Sequence, residues 1–139
     1  MKSLRSILFA VTVLLLATAA QAQQTSVHAK VPFDFVIGNH TYPAGEYALK
    51  SIQPNGGAIR VDNVQEETSK VTLSDSCTSV ERSTSTKLVF HRLGDSYFLY
   101  QIWEQGSTSG REFSVGRAER QIAQNHEKPE VVVVAANIQ

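Results

Sequence analysis

The chain has 139 residues, with thirteen Lys and Arg balanced by thirteen Asp and Glu. Both signs are scattered along it, so no basic stripe favours nucleic acid or an anionic membrane surface. Cys77 is the only cysteine, which excludes an internal disulfide and leaves packing alone to hold the fold.

The first segment reads as a leader. Lys2 and Arg5 precede an apolar stretch from Ile7 to Leu16, and small residues end at Ala20-Gln21-Ala22, an A-x-A cleavage pattern before Gln23. The stretch is interrupted by Thr12 and Thr18 and falls short of the roughly 20 apolar residues of a spanning helix, so a cleaved signal peptide over 1–22 is expected rather than a transmembrane anchor. Cleavage leaves 117 residues with eleven basic and thirteen acidic groups, the size of one domain. We therefore expect a single β-rich domain over 23–139, exported to the periplasm or the cell exterior.

From Val27 to Ile37 every odd position is apolar, the period of a half-buried strand, and Pro32 on its outward side predicts an edge or a bulge there. Gly38-Asn39 and Tyr42-Pro43-Ala44-Gly45 supply turns, followed by a short strand from Tyr47 to Ile52. Pro54-Asn55-Gly56-Gly57 is another turn. Ile59 and Val61 then alternate with Arg60 and Asp62 in a strand over 58–63, and after the loop at Gln65-Glu66-Glu67 a further short strand runs from Lys70 to Leu73. Ser74 to Thr86, almost entirely Ser, Thr and charged residues, reads as a surface loop or a weak edge strand.

The strongest signal is a hairpin. Lys87 to Leu93 and Ser96 to Trp103 flank Gly94-Asp95, and pairing Leu93 with Ser96 puts Phe90 opposite Leu99 and His91 opposite Phe98. Both faces of that ribbon carry apolar groups, so it belongs in the middle of the fold. Gly106 to Gly110 is a flexible linker. Val115, Ala118 and Ile122 recur at helical spacing and predict one short helix over roughly 115–124, and Val131 to Val134 forms a closing strand. The fold expected is all-β, an antiparallel sandwich or partly open small barrel of about six to eight strands with one short C-terminal helix.

The set Val31-Pro32-Phe33-Asp34-Phe35-Val36-Ile37-Gly38, Pro43-Ala44-Gly45-Glu46-Tyr47, Lys87-Leu88-Val89-Phe90-His91-Arg92, Tyr97-Phe98-Leu99, Gly110-Arg111-Glu112 and Arg117-Ala118-Glu119-Arg120 resembles a family of small exported bacterial proteins. The resemblance spans most of the chain after the leader and implies a small β domain. It carries no activity, substrate or site residue with it.

Chemical motifs are sparse. Gly106-Ser107-Thr108-Ser109-Gly110 misses the G-x-S-x-G elbow because Thr108 stands at the nucleophile position and no strand-to-helix turn surrounds it. His28, His40, His91 and His126 show no ligand spacing with Asp34 or Glu104, so neither a metal nor another cofactor is expected. Cys77 has no neighbouring His to activate it and reads as an inert thiol. Arg111-Glu112 and the charges at Arg117, Glu119 and Arg120 read as salt-bridged support for the sheet.

The residues that best suit ligand contact are His91, on a mostly apolar hairpin, and the aromatics Tyr97, Tyr100 and Trp103. The leading expectation is a non-enzymatic module for a ligand or protein partner as yet unspecified. Two others stand beside it. One is a small hydrolase or isomerase pairing His91 with Asp34 or Glu104, and the other is an envelope-associated protein whose edge strand, Val27 to Ile37, pairs with a partner.

Overall fold

The computed structural model describes residues 25–53, 55–125 and 128–139. The expected leader over 1–22, together with Pro54 and His126, lies outside them. The described chain forms β1 (Ser26–Val31), β2 (Phe35–Ile37), β3 (His40–Tyr42), β4 (Gly45–Ser51), β5 (Ala58–Asn63), β6 (Thr68–Leu73), β7 (Asp75–Thr78), β8 (Lys87–Leu93), β9 (Ser96–Trp103), β10 (Ser109–Glu112) and β11 (Glu130–Ile138). Among the described residues one short helix, α1 (Arg117–Ala123), precedes β11.

All the strands join one sheet in the order β3-β2-β9-β8-β11-β1-β4-β5-β6, with β10 on β9 and β7 on β10. The pairs are antiparallel except β2 with β9. The sheet curls into a half-barrel, the partly open form of the expected fold. Its concave side holds the core. Val27, Ala29 and Val31 of β1 meet Leu49 of β4, Val61 of β5 and Leu88 and Phe90 of β8 there, all buried. Around Phe90 the rings of Phe33 and Phe35 stand edge-on at 5.2 and 5.5 Å, and Phe35 in turn meets Tyr42 and Tyr47. Edge-to-face contact is the arrangement the ring quadrupole favours.

The central hairpin has the expected register: Leu93 opposes Ser96, His91 opposes Phe98 and Phe90 opposes Leu99, with a bulge between Val89 and Phe90. β11 runs alongside β8 and then β1, and so stitches the C-terminal ribbon to the N-terminal strands. It is longer than the four valines suggested.

Two expectations are corrected. The alternating run from Val27 to Ile37 is two strands, because the chain leaves the sheet at Pro32-Phe33-Asp34 and crosses the barrel end from β1 to β2. Its period two is real, since Val27, Ala29, Val31, Phe35 and Ile37 are all buried, but the period reports a continuous buried side and not a continuous ladder. Secondly, β1 is no edge. It is bonded to β11 on one side and β4 on the other, which removes Val27 to Ile37 as a strand-pairing surface. Of the two readings of the polar segment after Leu73, the weak edge strand holds over Asp75–Thr78. β7 pairs with β10, and the Ser83 N–H and carbonyl bond the Ser107 carbonyl and the Gly106 N–H, so two polar stretches satisfy each other's backbone groups. β7 and β10, with the division of the first run into β1 and β2 and the short β3, bring the strands among the described residues to eleven.

β7, bonded only to β10, ends the branch off β9, and β3 and β6 are the two ends of the main strand order. They approach through side chains, with the Lys70 ammonium of β6 over the Tyr42 ring of β3 at 5.2 Å from the centroid. A cation above an aromatic face is attracted by the ring quadrupole.

Candidate functional site

α1 lies on the convex side of the sheet, against β8. Its N-cap residue, Gly116, is seated so closely on the Gly38 carbonyl that a Cβ there would collide with backbone, and only glycine permits the approach. The residue that α1 buries is Glu119, whereas Ala118 is exposed. This corrects the expected stripe of Val115, Ala118 and Ile122. The helix starts only at Arg117 and leaves Val115 outside it and exposed, so the spacing from Val115 does not set the inward face, and Glu119 takes it in place of Ala118.

His91 Nδ1 of β8 stands 3.1 Å from Glu119 Oε1. An ionised carboxylate only accepts, so the ring nitrogen donates, and in the neutral ring Nε2 is left as an acceptor. The imidazole is stacked on Tyr100 of β9, with centroids 4.0 Å apart and planes at 23°. The Tyr100 hydroxyl bonds the Glu112 carboxylate of β10, and burial followed by that bond pushes the phenol pKa up. Glu112 Oε2 also accepts from Gln101 Nε2 at 2.8 Å, and Gln101 Oε1 accepts from Trp103 Nε1 at 3.0 Å. A polar relay therefore runs across the convex side from α1 to the end of β9.

The Glu119 end of this relay opens into a cleft of about 480 Å³ between α1, β8 and the start of β11. Leu93, Val115, Ala123 and Pro129 supply its aliphatic walls, with Arg120 among the lining residues. The lining offers a hydrogen-bonding pair and one guanidinium amid apolar surface. Among the described residues that line it there is no serine, threonine or cysteine.

Of the four residues singled out from the sequence, His91 and Tyr100 touch, and Trp103 joins them through Gln101 and Glu112. Trp103 is half-buried, with its indole against Gly110. Tyr97 belongs elsewhere: it stacks on Phe33 at 3.8 Å at the margin of the concave core, with the Arg92 guanidinium on it. The carboxylates proposed as partners of His91 are also elsewhere. Asp34 Oδ1 accepts the Ala44 N–H at 2.8 Å and fixes the turn before β4, while Glu104 is exposed. Glu119, Glu112 and Gln101 were missed as partners.

Cys77 of β7 lies opposite Gly110, half-buried. Burial, and then the charge of Glu112, pushes its thiol pKa up, the reverse of activation. Among the described residues no three His, Cys, Asp or Glu side chains converge as metal ligands, and no helix is long and apolar enough to cross a membrane.

Glu119→Ala should lower stability by about 1–3 kcal/mol, the usual penalty when a buried donor loses its acceptor. Glu119→Gln, which keeps an acceptor oxygen, should retain most of it. Urea denaturation of the two variants reads the difference, and a Glu119→Ala midpoint equal to wild type would mean that Gly116 alone seats the helix.

Compared with the known protein families, the curated proteins and the solved structures, the chain finds no match.

Proposed function

We propose that the protein is an exported, non-enzymatic binding module and that the cleft beside α1 receives its ligand. The observation that carries this reading is the His91–Glu119 pair, side chains 16 % and 11 % exposed, in the lining of an otherwise largely aliphatic cleft. Ionisable groups taken out of water are retained where they are paired, and here the pair leaves a ring nitrogen for a ligand donor. The ligand class that suits these walls is a small molecule with an apolar body and one hydroxyl or amide donor. Arg120 adds a site for an anionic substituent. The leader pattern supports export.

A thermal-shift screen against sugars, short peptides, fatty acids and divalent metals tests it. A ligand present at 100 times its Kd adds ~2.7 kcal/mol, a midpoint rise of roughly 10 °C for a domain of this size. The expected hit is an amphipathic small molecule whose shift disappears in His91→Leu. A shift that survives that substitution, or a melt that no amphipathic compound moves, would remove the cleft as the site.

A further inference from the structure

β6 inverts the pattern of the sheet it ends. Thr68, Lys70 and Thr72 oppose Asn63, Val61 and Ile59, and so continue the core-facing side, while Ser69, Val71 and Leu73 oppose Asp62, Arg60 and Ala58 on the convex side. The polar set thus faces the barrel interior and the apolar pair faces water, with Val71 55 % and Leu73 77 % exposed. No other strand among those described bonds its far edge.

The direction of the free backbone groups follows from one hydrogen bond. The Ser74 N–H donates to the Gly57 carbonyl at 3.1 Å, so Ser74 and Gly57 form a bonded pair at the end of the β5–β6 ladder. Antiparallel bonding alternates along the strand, which turns Thr72, Lys70 and Thr68 toward β5 and directs the N–H and C=O of Leu73, Val71 and Ser69 off the edge. The residues with free backbone groups are the ones whose side chains are apolar and exposed at Val71 and Leu73.

We propose that this edge pairs with a second copy of the same chain, β6 against β6, antiparallel about a two-fold axis at Val71. Two symmetric registers use nearly the whole strand. A two-fold at Lys70 sets two ammonium groups opposite each other, which destabilises a cross-strand pair. A two-fold at Val71 pairs Val71 with its symmetry mate, Ser69 with Leu73 and Lys70 with Thr72. It gathers Val71 and Leu73 of both copies into one apolar cluster on the convex side. The Lys70 ammonium, held over Tyr42, stays clear of the new ladder. Such an interface is isologous and closed, so it stops at two copies. With one six-residue strand from each copy it is small, and the dimer is weak and dependent on concentration. The surface shares no residue with the cleft lining, so the two readings stand or fall separately.

Sedimentation velocity of the purified protein from roughly 10 μM to 1 mM, the range in which small interfaces form, tests it. Wild type is expected to shift from monomer toward dimer across that range. Val71→Lys, at an exposed position that leaves the core untouched, is expected to remain monomeric with an unchanged melting temperature. Val71→Pro removes a backbone N–H that faces off the edge and is expected to behave likewise, since proline is tolerated on a free strand edge. A wild type that stays monomeric throughout overturns the proposal, and so does a Val71→Lys protein that dimerises as wild type does.

Discussion

Phe90→Ala is expected to destabilise the protein by about 3–5 kcal/mol, the range for deleting a buried aromatic ring, and to lower its melting temperature by roughly 12–20 °C. Phe90 is 0 % exposed and stands on β8, the strand between the two halves of the curled sheet. Its cross-strand neighbours are Leu99 of β9 and Val132 of β11, and its ring meets those of Phe33 and Phe35 edge-on. The Val89/Phe90 bulge fixes the backbone locally, so the walls cannot close over the void by sliding the strand. Phe33 comes from the crossing between β1 and β2, so the loss also loosens the segment that spans the barrel end. Differential scanning calorimetry reads the shift; a drop of less than about 3 °C would mean that the concave side is not packed around this ring.

The second large effect is expected at Asn63. Its side chain is a buried junction: Nδ2 donates to the Tyr47 hydroxyl at 3.1 Å, and Oδ1 accepts the backbone N–H groups of Gln65 and Glu66, both at 3.0 Å. Tyr47 in turn donates to the Pro43 carbonyl at 2.6 Å. One amide thus ties β5, the turn into β6, β4 and the turn before it. Asn63→Leu keeps the approximate volume and strands those donors, for an expected loss of about 3 kcal/mol at ~1–3 kcal/mol per buried unsatisfied group.

The same junction gives a pH signature. Burial pushes the Tyr47 phenol up to about 12, against the opposing pull of the Asn63 bond. A folded pKa above the unfolded value near 10 means that the native state holds the proton longer than the unfolded chain does. Its contribution is therefore fully present below about pH 10 and is lost as pH rises toward 12. Burial also pushes the phenols of Tyr42 and Tyr100 up, and they add to the same fall. Denaturation followed from pH 9 to pH 12 should show stability decreasing across this window, with a shallower slope in Tyr47→Phe. An identical slope in that variant would mean that Tyr47 titrates no differently when folded.

Much of the fold was legible because local patterns reported burial. Ile59 and Val61 alternating with Arg60 and Asp62 marked β5, and Gly94-Asp95 between two apolar runs set the β8–β9 register. The relay was less so. His91, Tyr100 and Trp103 were recognisable as residue types suited to contact, yet of the residues that join them only Gln101 shares their hairpin, on β9, while Glu112 arrives from β10 and Glu119 from the helix. No spacing along the chain encodes a contact between His91 and a carboxylate twenty-eight residues later.

By itself, then, the sequence determined the β-rich class, the hairpin and the turns, since strand periodicity and the special backbone angles of glycine and proline act within a few residues. It also determined the lone thiol and hence a fold held by packing. Tertiary structure alone decided that the run from Val27 to Ile37 breaks at Pro32 and crosses the barrel, that β1 is interior, that α1 turns Glu119 inward, and that β6 is left as an open edge. Each of those is a choice among arrangements that bury the same apolar residues equally well from a local point of view. Closing a curled sheet, with every interior strand bonded on both sides, selects among them.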